Sequence, residues 1–99
     1  MKILREGHYY KLDSLEGTNP QELRFIEKEK VGDEFITVHD GTTNEEVLKV
    51  LINRLNILGH KLPSRESSIA ITKLEECLMW LERRTADRIA RQVENTPLP

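Results

Sequence analysis

The sequence predicts an α+β fold: a short N-terminal antiparallel β-meander followed by a long antiparallel helical hairpin, in an oligomer. Three features point to it. Aromatic and β-branched residues cluster between turn residues in the first forty positions. From about residue 44 onward, apolar residues recur at helical spacing. One short break, His60-Lys61-Leu62-Pro63, divides that helical stretch in two. The expected organisation is a strand region over 1–40, a hairpin domain over 41–94 and a flexible tail over 95–99.

The strand candidates are His8-Tyr9-Tyr10-Lys11-Leu12, Leu23-Arg24-Phe25-Ile26-Glu27 and Glu34-Phe35-Ile36-Thr37-Val38. Gly17-Thr18-Asn19-Pro20 and Gly32-Asp33 supply the turns between them. So few apolar residues lie here that the strands are expected to rest on something else. The first helix has a start signal in Thr43 with Glu46, a capping box, and in Thr42 with Glu45 one residue earlier. Its apolar positions are 47, 48, 51, 52, 55 and 58, and Gly59 is read as its end. Ser64 is the expected N-cap of the second helix, which should run from 65 to about 93. Its seam is Ala70, Ile71, Leu74, Leu78, Leu81, Ile89 and Val93. Pro97 and Pro99 fall in the tail.

Association follows from a surplus of apolar surface. A second helix of about 29 residues is roughly 43 Å long, against roughly 25 Å for a first helix of about 17. The longest apolar run, Cys77-Leu78-Met79-Trp80-Leu81, sweeps about 400° around its helix. Leu78 and Leu81 can face the first helix, but Met79 and Trp80 then point elsewhere. Val50 and Ile57 lie off the main stripe of the first helix in the same way. Burying a large apolar side chain contributes about 1.5–3 kcal/mol, so a handful of them drives copies together.

Composition narrows the function. Hydrophobic residues are 37% and charged residues 32%, too charged for a membrane protein and too apolar for a disordered chain. The five-residue apolar run is too short to span a bilayer. Met1-Lys2-Ile3-Leu4-Arg5 leads straight into charge, with no signal-peptide pattern. A single cysteine, Cys77, suits a reducing cytoplasm and is read as a small core residue. The net charge of −2 and the lack of a long basic surface argue against nucleic-acid binding. His8, His39 and His60 lie in strand ends or loops without metal-ligand spacing, and no glycine-rich phosphate loop occurs. The expectation is therefore no enzyme, no metal and no cofactor.

Binding chemistry is better represented. Arg84, Arg88 and Arg91 fall at i, i+4 and i+7, one helical stripe, with Arg83 beside it. Guanidinium groups hold phosphates through paired hydrogen bonds, which suits a compact diphosphate or cyclic phosphodiester. The plainer reading is that cations favour a helix C-terminus and that Asp87 pairs with one of them. Helix starts offer free N–H groups: Thr42 and Thr43 add hydroxyls at the first, and Arg65 a guanidinium at the second. Tyr9, Tyr10 and Trp80 are candidates for stacking on a base, with packing in the sheet or core as the alternative.

The order of these segments is familiar. Gly41-Thr42-Thr43-Asn44-Glu45-Glu46-Val47-Leu48, then Leu62-Pro63-Ser64-Arg65-Glu66-Ser67, then Met79-Trp80-Leu81-Glu82-Arg83-Arg84-Thr85-Ala86-Asp87-Arg88, resembles the helical-hairpin domain of bacteriophage anti-defence sponges. Those proteins counter the Thoeris and CBASS immune systems of bacteria. The resemblance covers residue 41 to about 92, and the strand-rich front is more like the Thoeris inhibitors. It implies a phage immune-evasion protein in the host bacterial cytoplasm. Such a protein binds and sequesters, without cleaving, cyclic nucleotide signals. These are cyclic ADP-ribose isomers for Thoeris and cyclic di- or trinucleotides for CBASS. It also implies a homo-oligomer, a hexamer built from dimers, with ligands held between chains. Thr42, Thr43 and Arg84 match parts of the family motif for ligand phosphates, with Arg65 and Arg88 as companions. Family members often carry Cys at the position of Ser64, Asn at that of Ser67, and Gly-Val-Glu-Gly where this chain has Gln92-Val93-Glu94-Asn95. The competing class is a structural or protein-binding hairpin oligomer with no nucleotide ligand.

Overall fold

The computed structural model describes residues 1–91, which fall into two compact units, Met1–Thr43 and a second that begins at Asn44. The expected helix end near residue 93, Val93 in the seam, the 92–95 segment and the tail over 95–99 lie outside the described residues. The fold class is α+β. Five antiparallel strands precede two helices: β1 (Lys2–Arg5), β2 (Tyr9–Leu12), β3 (Gln21–Arg24), β4 (Glu27–Val31), β5 (Glu34–His39), α1 (Asn44–Lys61) and α2 (Arg65–Ala90).

The strands form a meander, β1-β2-β3, and a separate hairpin, β4-β5. Two of the expected strands are present as β2 and β5. The expected strand over Leu23–Glu27 is not one strand but the junction of β3 with β4. The Phe25 N–H still donates to the His8 carbonyl at 2.7 Å, and the chain turns to a second partner on either side of it. Phe25 bridges in parallel to Thr42. The Ile26 N–H donates to the Thr42 carbonyl at 2.8 Å, and the Thr42 N–H to the Arg24 carbonyl at 2.9 Å. β1 and β4 escape sequence reading for a common reason. Lys2-Ile3-Leu4-Arg5 and Glu27-Lys28-Glu29-Lys30-Val31 lack apolar alternation, so nothing marks a buried face.

Register sorts the side chains of the meander. Tyr10 pairs with Ile3 and Leu23, which places all three on one face. Phe25 meets the Tyr10 ring edge-on at 6.0 Å. Tyr9 pairs with Arg24 on the opposite face, and the Arg24 guanidinium sits 3.8 Å from the Tyr9 ring centre. The Tyr9 hydroxyl donates to Glu22 at 2.6 Å.

Two contacts tie this unit together. Arg5 of β1 grips Glu27 of β4 through both carboxylate oxygens, at 2.7 and 2.5 Å. Glu27 is the only buried residue among those described, its side chain 12% exposed. The second contact is the close approach of Gly41 to the β3–β4 junction. A Cβ there would lie 2.6 Å from the Phe25 carbonyl carbon and 2.7 Å from the Arg24 oxygen. Only glycine fits, and the reason is space rather than backbone angle.

Glu45 and Glu46 occupy the first turn of α1, and His60 and Lys61 the last, each complementing the helix dipole. Gly59 does not end the helix, as the sequence reading had it. The last turn continues to Lys61, and Pro63, which restricts Leu62 to extended backbone, stops it. Ser64 caps α2, its Oγ accepting from the Ser67 N–H at 3.1 Å. The helices are 18 and 26 residues long, roughly 27 and 39 Å. α1 and α2 pack on each other as an antiparallel hairpin.

On α2 the half-buried positions are Ser67, Ile71, Leu74, Leu78, Leu81, Thr85 and Arg88, together with Ala70. Steps of four and three alternate along that series, the 3.5-residue spacing of a coiled-coil seam. The expected seam changes at its C-terminal end: Ile89 is 58% exposed, and Thr85 and Arg88 take the inner positions. Cys77 is exposed rather than in a core. Neither helix buries any side chain fully.

Gly41→Ala should destabilise the strand unit by about 1–3 kcal/mol through forced backbone movement. The two tyrosines lie in the strand unit and the single tryptophan in α2. Tyrosine near-UV dichroism should therefore melt early while Trp80 fluorescence reports an unchanged hairpin. Acid should act at the same place. Arg5 holds the Glu27 carboxyl below its ordinary value, chiefly by hydrogen bonding. That contribution is fully present above the unfolded carboxylate pKa and is lost as pH falls through the folded one. An acid titration should lose the tyrosine signal before the helical signal at 222 nm, and Glu27→Gln should remove the separation.

Candidate functional site

α2 carries the arginines, and its geometry sorts them. Arg84 is fully on the surface. Arg88, one turn further, is half-buried on the seam beside Thr85. Arg91 caps the helix: its backbone N–H donates to the Asp87 carbonyl at 3.1 Å and its Nε to the same oxygen at 3.4 Å. The macrodipole reading of Arg91 therefore has a physical partner, while Arg84 has none among the described residues. No ion pair joins Asp87 to Arg83, Arg84 or Arg91 among the described residues. Arg83 lies 5.5 Å from the centre of the Trp80 ring, a cation over an aromatic face that is itself 58% exposed.

Of the remaining candidates, one is on α2 and two belong to the strand unit. Arg65 is the first residue of α2, at the turn end of the hairpin. Nineteen residues separate it from Arg84, so the two lie roughly 28 Å apart along one axis. That separation exceeds the reach of any compact cyclic nucleotide. Thr42 and Thr43 belong to the strand unit. Thr42 is held through its backbone to Arg24 and Ile26 and is half-buried, and Thr43 is exposed. Within one chain the structure groups Arg84, Arg88 and Arg91 near one end of α2 and leaves Arg65 at the other.

Two further features went unread in the sequence. The first is the Tyr9–Arg24 stack, which depends on a cross-strand register that residue spacing does not reveal. The second is a basic-edged apolar groove along α1, of 530 Å³, lined by Lys49, Val50, Asn53, Arg54, Ile57 and Leu58. Its signal was present: Val50 and Ile57 are the residues that fell off the first helix's main stripe. They are 61% and 53% exposed, as Met79 and Trp80 are 51% and 58%.

His39 Nδ1 lies 2.9 Å from the neighbouring Asp40 carbonyl, and His60 sits exposed on the last turn of α1. No three metal-ligating side chains converge among the described residues. What the described residues present is guanidinium, hydroxyl and exposed aromatic surface.

Comparison with known proteins adds two findings. The family model "Acb2/Tad1, hairpin domain" matches residues 23–86. Thoeris anti-defense 1 of Bacillus phage SBSphiJ7 is 45% identical over 64 residues, a match that takes in 62% of this chain and 45% of the phage protein. The chain thus spans less than half the length of that relative. The matched region contains both threonines, Arg65, Arg84 and the β4-β5 hairpin, and stops short of Arg88 and Arg91.

Proposed function

Because the chain belongs to the Acb2/Tad1 hairpin-domain family, we propose that it is a phage anti-defence protein acting in the host cytoplasm, which binds a cyclic nucleotide immune signal and holds it unmodified. The observation that carries this reading is the free Arg84 guanidinium, one turn from the half-buried Arg88, on a helix end with surplus apolar surface. A similarity to a Thoeris anti-defence protein favours a cyclic ADP-ribose isomer as the signal, with CBASS cyclic di- or trinucleotides as the second class.

The site is completed between copies. Arg65 cannot share a ligand with Arg84 of its own chain, roughly 28 Å away. A neighbouring hairpin would bring another set of arginines and threonines to the same niche and exclude water from it. Guanidinium–phosphate hydrogen bonds strengthen when desolvated, and a rigid cyclic ligand loses little freedom on binding. Nanomolar affinity, about −12 kcal/mol, is within reach of such a site. The proposed assembly is a homo-oligomer, a hexamer built from dimers, held by Val50, Ile57, Met79 and Trp80. The exposed apolar side chains also favour the second reading, a protein-binding hairpin oligomer with no nucleotide ligand.

Incubation with a cyclic ADP-ribose isomer or a cyclic dinucleotide, followed by proteolysis of the complex, separates the readings. A sponge gains thermal stability and releases the ligand intact; release of a cleaved product refutes sequestration, and no thermal shift with any cyclic nucleotide favours the ligand-free scaffold. Arg84→Ala removes a charged hydrogen-bond donor worth about 1.5–3 kcal/mol, so affinity should fall roughly ten- to a hundredfold with the assembly unchanged. Arg88→Ala should weaken binding as well, with helicity at 222 nm as the control for its place on the seam. Trp80→Glu should convert the assembly to an 11.5 kDa particle in sedimentation at micromolar concentration; an unchanged sedimentation rate would remove Trp80 from the interface.

A further inference from the structure

The β1-β2-β3 meander has two unlike faces. Ile3, Tyr10 and Leu23 share one. Tyr9 and Lys11, two residues apart on β2, point to the other, with Arg24 opposite Tyr9 and Lys2 opposite Lys11. The strand unit holds six lysines and arginines against nine aspartates and glutamates. Three of those six cations, Lys2, Lys11 and Arg24, nevertheless meet on this one face.

The carboxylates beside them have other partners. Glu22, opposite Lys11, accepts from the Tyr9 hydroxyl, and Asp13, two residues beyond Lys11, pairs with the Met1 amine at 3.0 Å. Lys2 and Lys11 are exposed and form no ion pair among the described residues. Like charges directly opposite one another on paired strands are destabilising. Lys2 and Lys11 stand in that relation, with Cβ atoms about 4.5–5.5 Å apart. An anion seated between the two amines would offset this cost. Arg24 lies diagonally across from Lys11, about 7–8 Å away. One plane of its guanidinium covers the Tyr9 ring, 3.8 Å from the centre, and the other is turned away from that ring. Guanidinium planes stack on nucleic-acid bases.

We propose that this face binds a nucleoside 5′-phosphate, its terminal phosphate between Lys2 and Lys11 and its base on the Arg24 guanidinium. Charge selects a terminal phosphate. A phosphate monoester carries about −1.5 to −2 at pH 7 and matches two lysines, whereas a phosphodiester carries a single charge. Lysine is a point charge on a flexible stem, so two of them can close on one group from neighbouring strands. Arg24 supplies the flat partner that lysine cannot. The site lies within one chain and does not rest on Arg84, on the cyclic-nucleotide reading or on association of copies.

Equilibrium dialysis of the full chain against radiolabelled AMP tests this, in low-salt buffer because exposed charges are screened. AMP should bind, and 3′,5′-cyclic AMP, adenosine and inorganic phosphate should each bind at least about tenfold more weakly. Lys2→Gln with Lys11→Gln should lower AMP affinity at least about tenfold, the loss of a charged hydrogen bond. The same pair should raise the melting temperature of the tyrosine near-UV signal, because the like-charge contact is gone. Lys28→Gln with Lys30→Gln, on β4, removes equal charge away from this face and should leave AMP binding unchanged. Arg24→Lys should bring AMP affinity down to that of inorganic phosphate. The proposal is overturned by no AMP binding at millimolar concentration, or by any comparison ligand binding as tightly as AMP. It is equally overturned if both lysine pairs cost the same, or if Arg24→Lys binds AMP like the parent chain. A lower melting temperature for Lys2→Gln with Lys11→Gln would make those lysines structural and overturn it too.

Discussion

A helix packed against a single neighbour can shield one stripe of its surface and no more. That constraint governs the second unit of this protein. α1 and α2 meet along Val47, Leu48, Ile52 and Leu55 on one side and Ile71, Leu74, Leu78 and Leu81 on the other, and even these stay half-exposed. Val50, Ile57, Met79 and Trp80 lie outside the stripe and remain in water. The 3.5-residue seam on α2 is narrow, so most of the helix circumference stays uncovered by α1. The proposed assembly, and a ligand niche between its chains, both depend on this unfilled surface.

The strand unit is organised differently. It lacks a buried apolar side chain and is held by directional contacts instead: the two-pronged Arg5–Glu27 pair, the backbone bonds of Thr42, and the close approach at Gly41. Directional contacts specify geometry well, but the Arg5 side chain is 60% exposed and its ion pair is partly screened by water. The segment from Gly41 to Thr43 belongs to these contacts and also leads directly into α1. Its threonines are accordingly placed by the strands, while Arg84 and Arg88 are placed by the hairpin.

Arginine position shows how packing divides residues that spacing makes equivalent. Arg84, Arg88 and Arg91 share a stripe by sequence interval, yet one is solvent-facing, one is drawn onto the seam and one caps the helix end. The seam shifts toward Thr85 and Arg88 because the 3–4 alternation carried forward from Leu81 reaches 85 and 88, not 89. An apolar residue at 89 was the more obvious candidate, but periodicity set by helix packing outweighs the chemistry of one side chain.

Local signals in the chain were sufficient for the α+β class, both helices, the Ser64 cap and the surplus of apolar surface, since periodicity, caps and turn residues act over a few positions. The same locality hid β1 and β4, neither of which alternates apolar with polar residues to mark a face, and it misread Gly59, because Pro63 four residues later is what stops the helix. Tertiary structure alone decided that Arg24 and Ile26 bond to residue 42, and that Glu27 is buried against Arg5. It also put Arg65 and Arg84 at opposite ends of one rigid helix. Those outcomes turn on which distant backbone groups meet and on the 1.5 Å rise that converts sequence separation into distance.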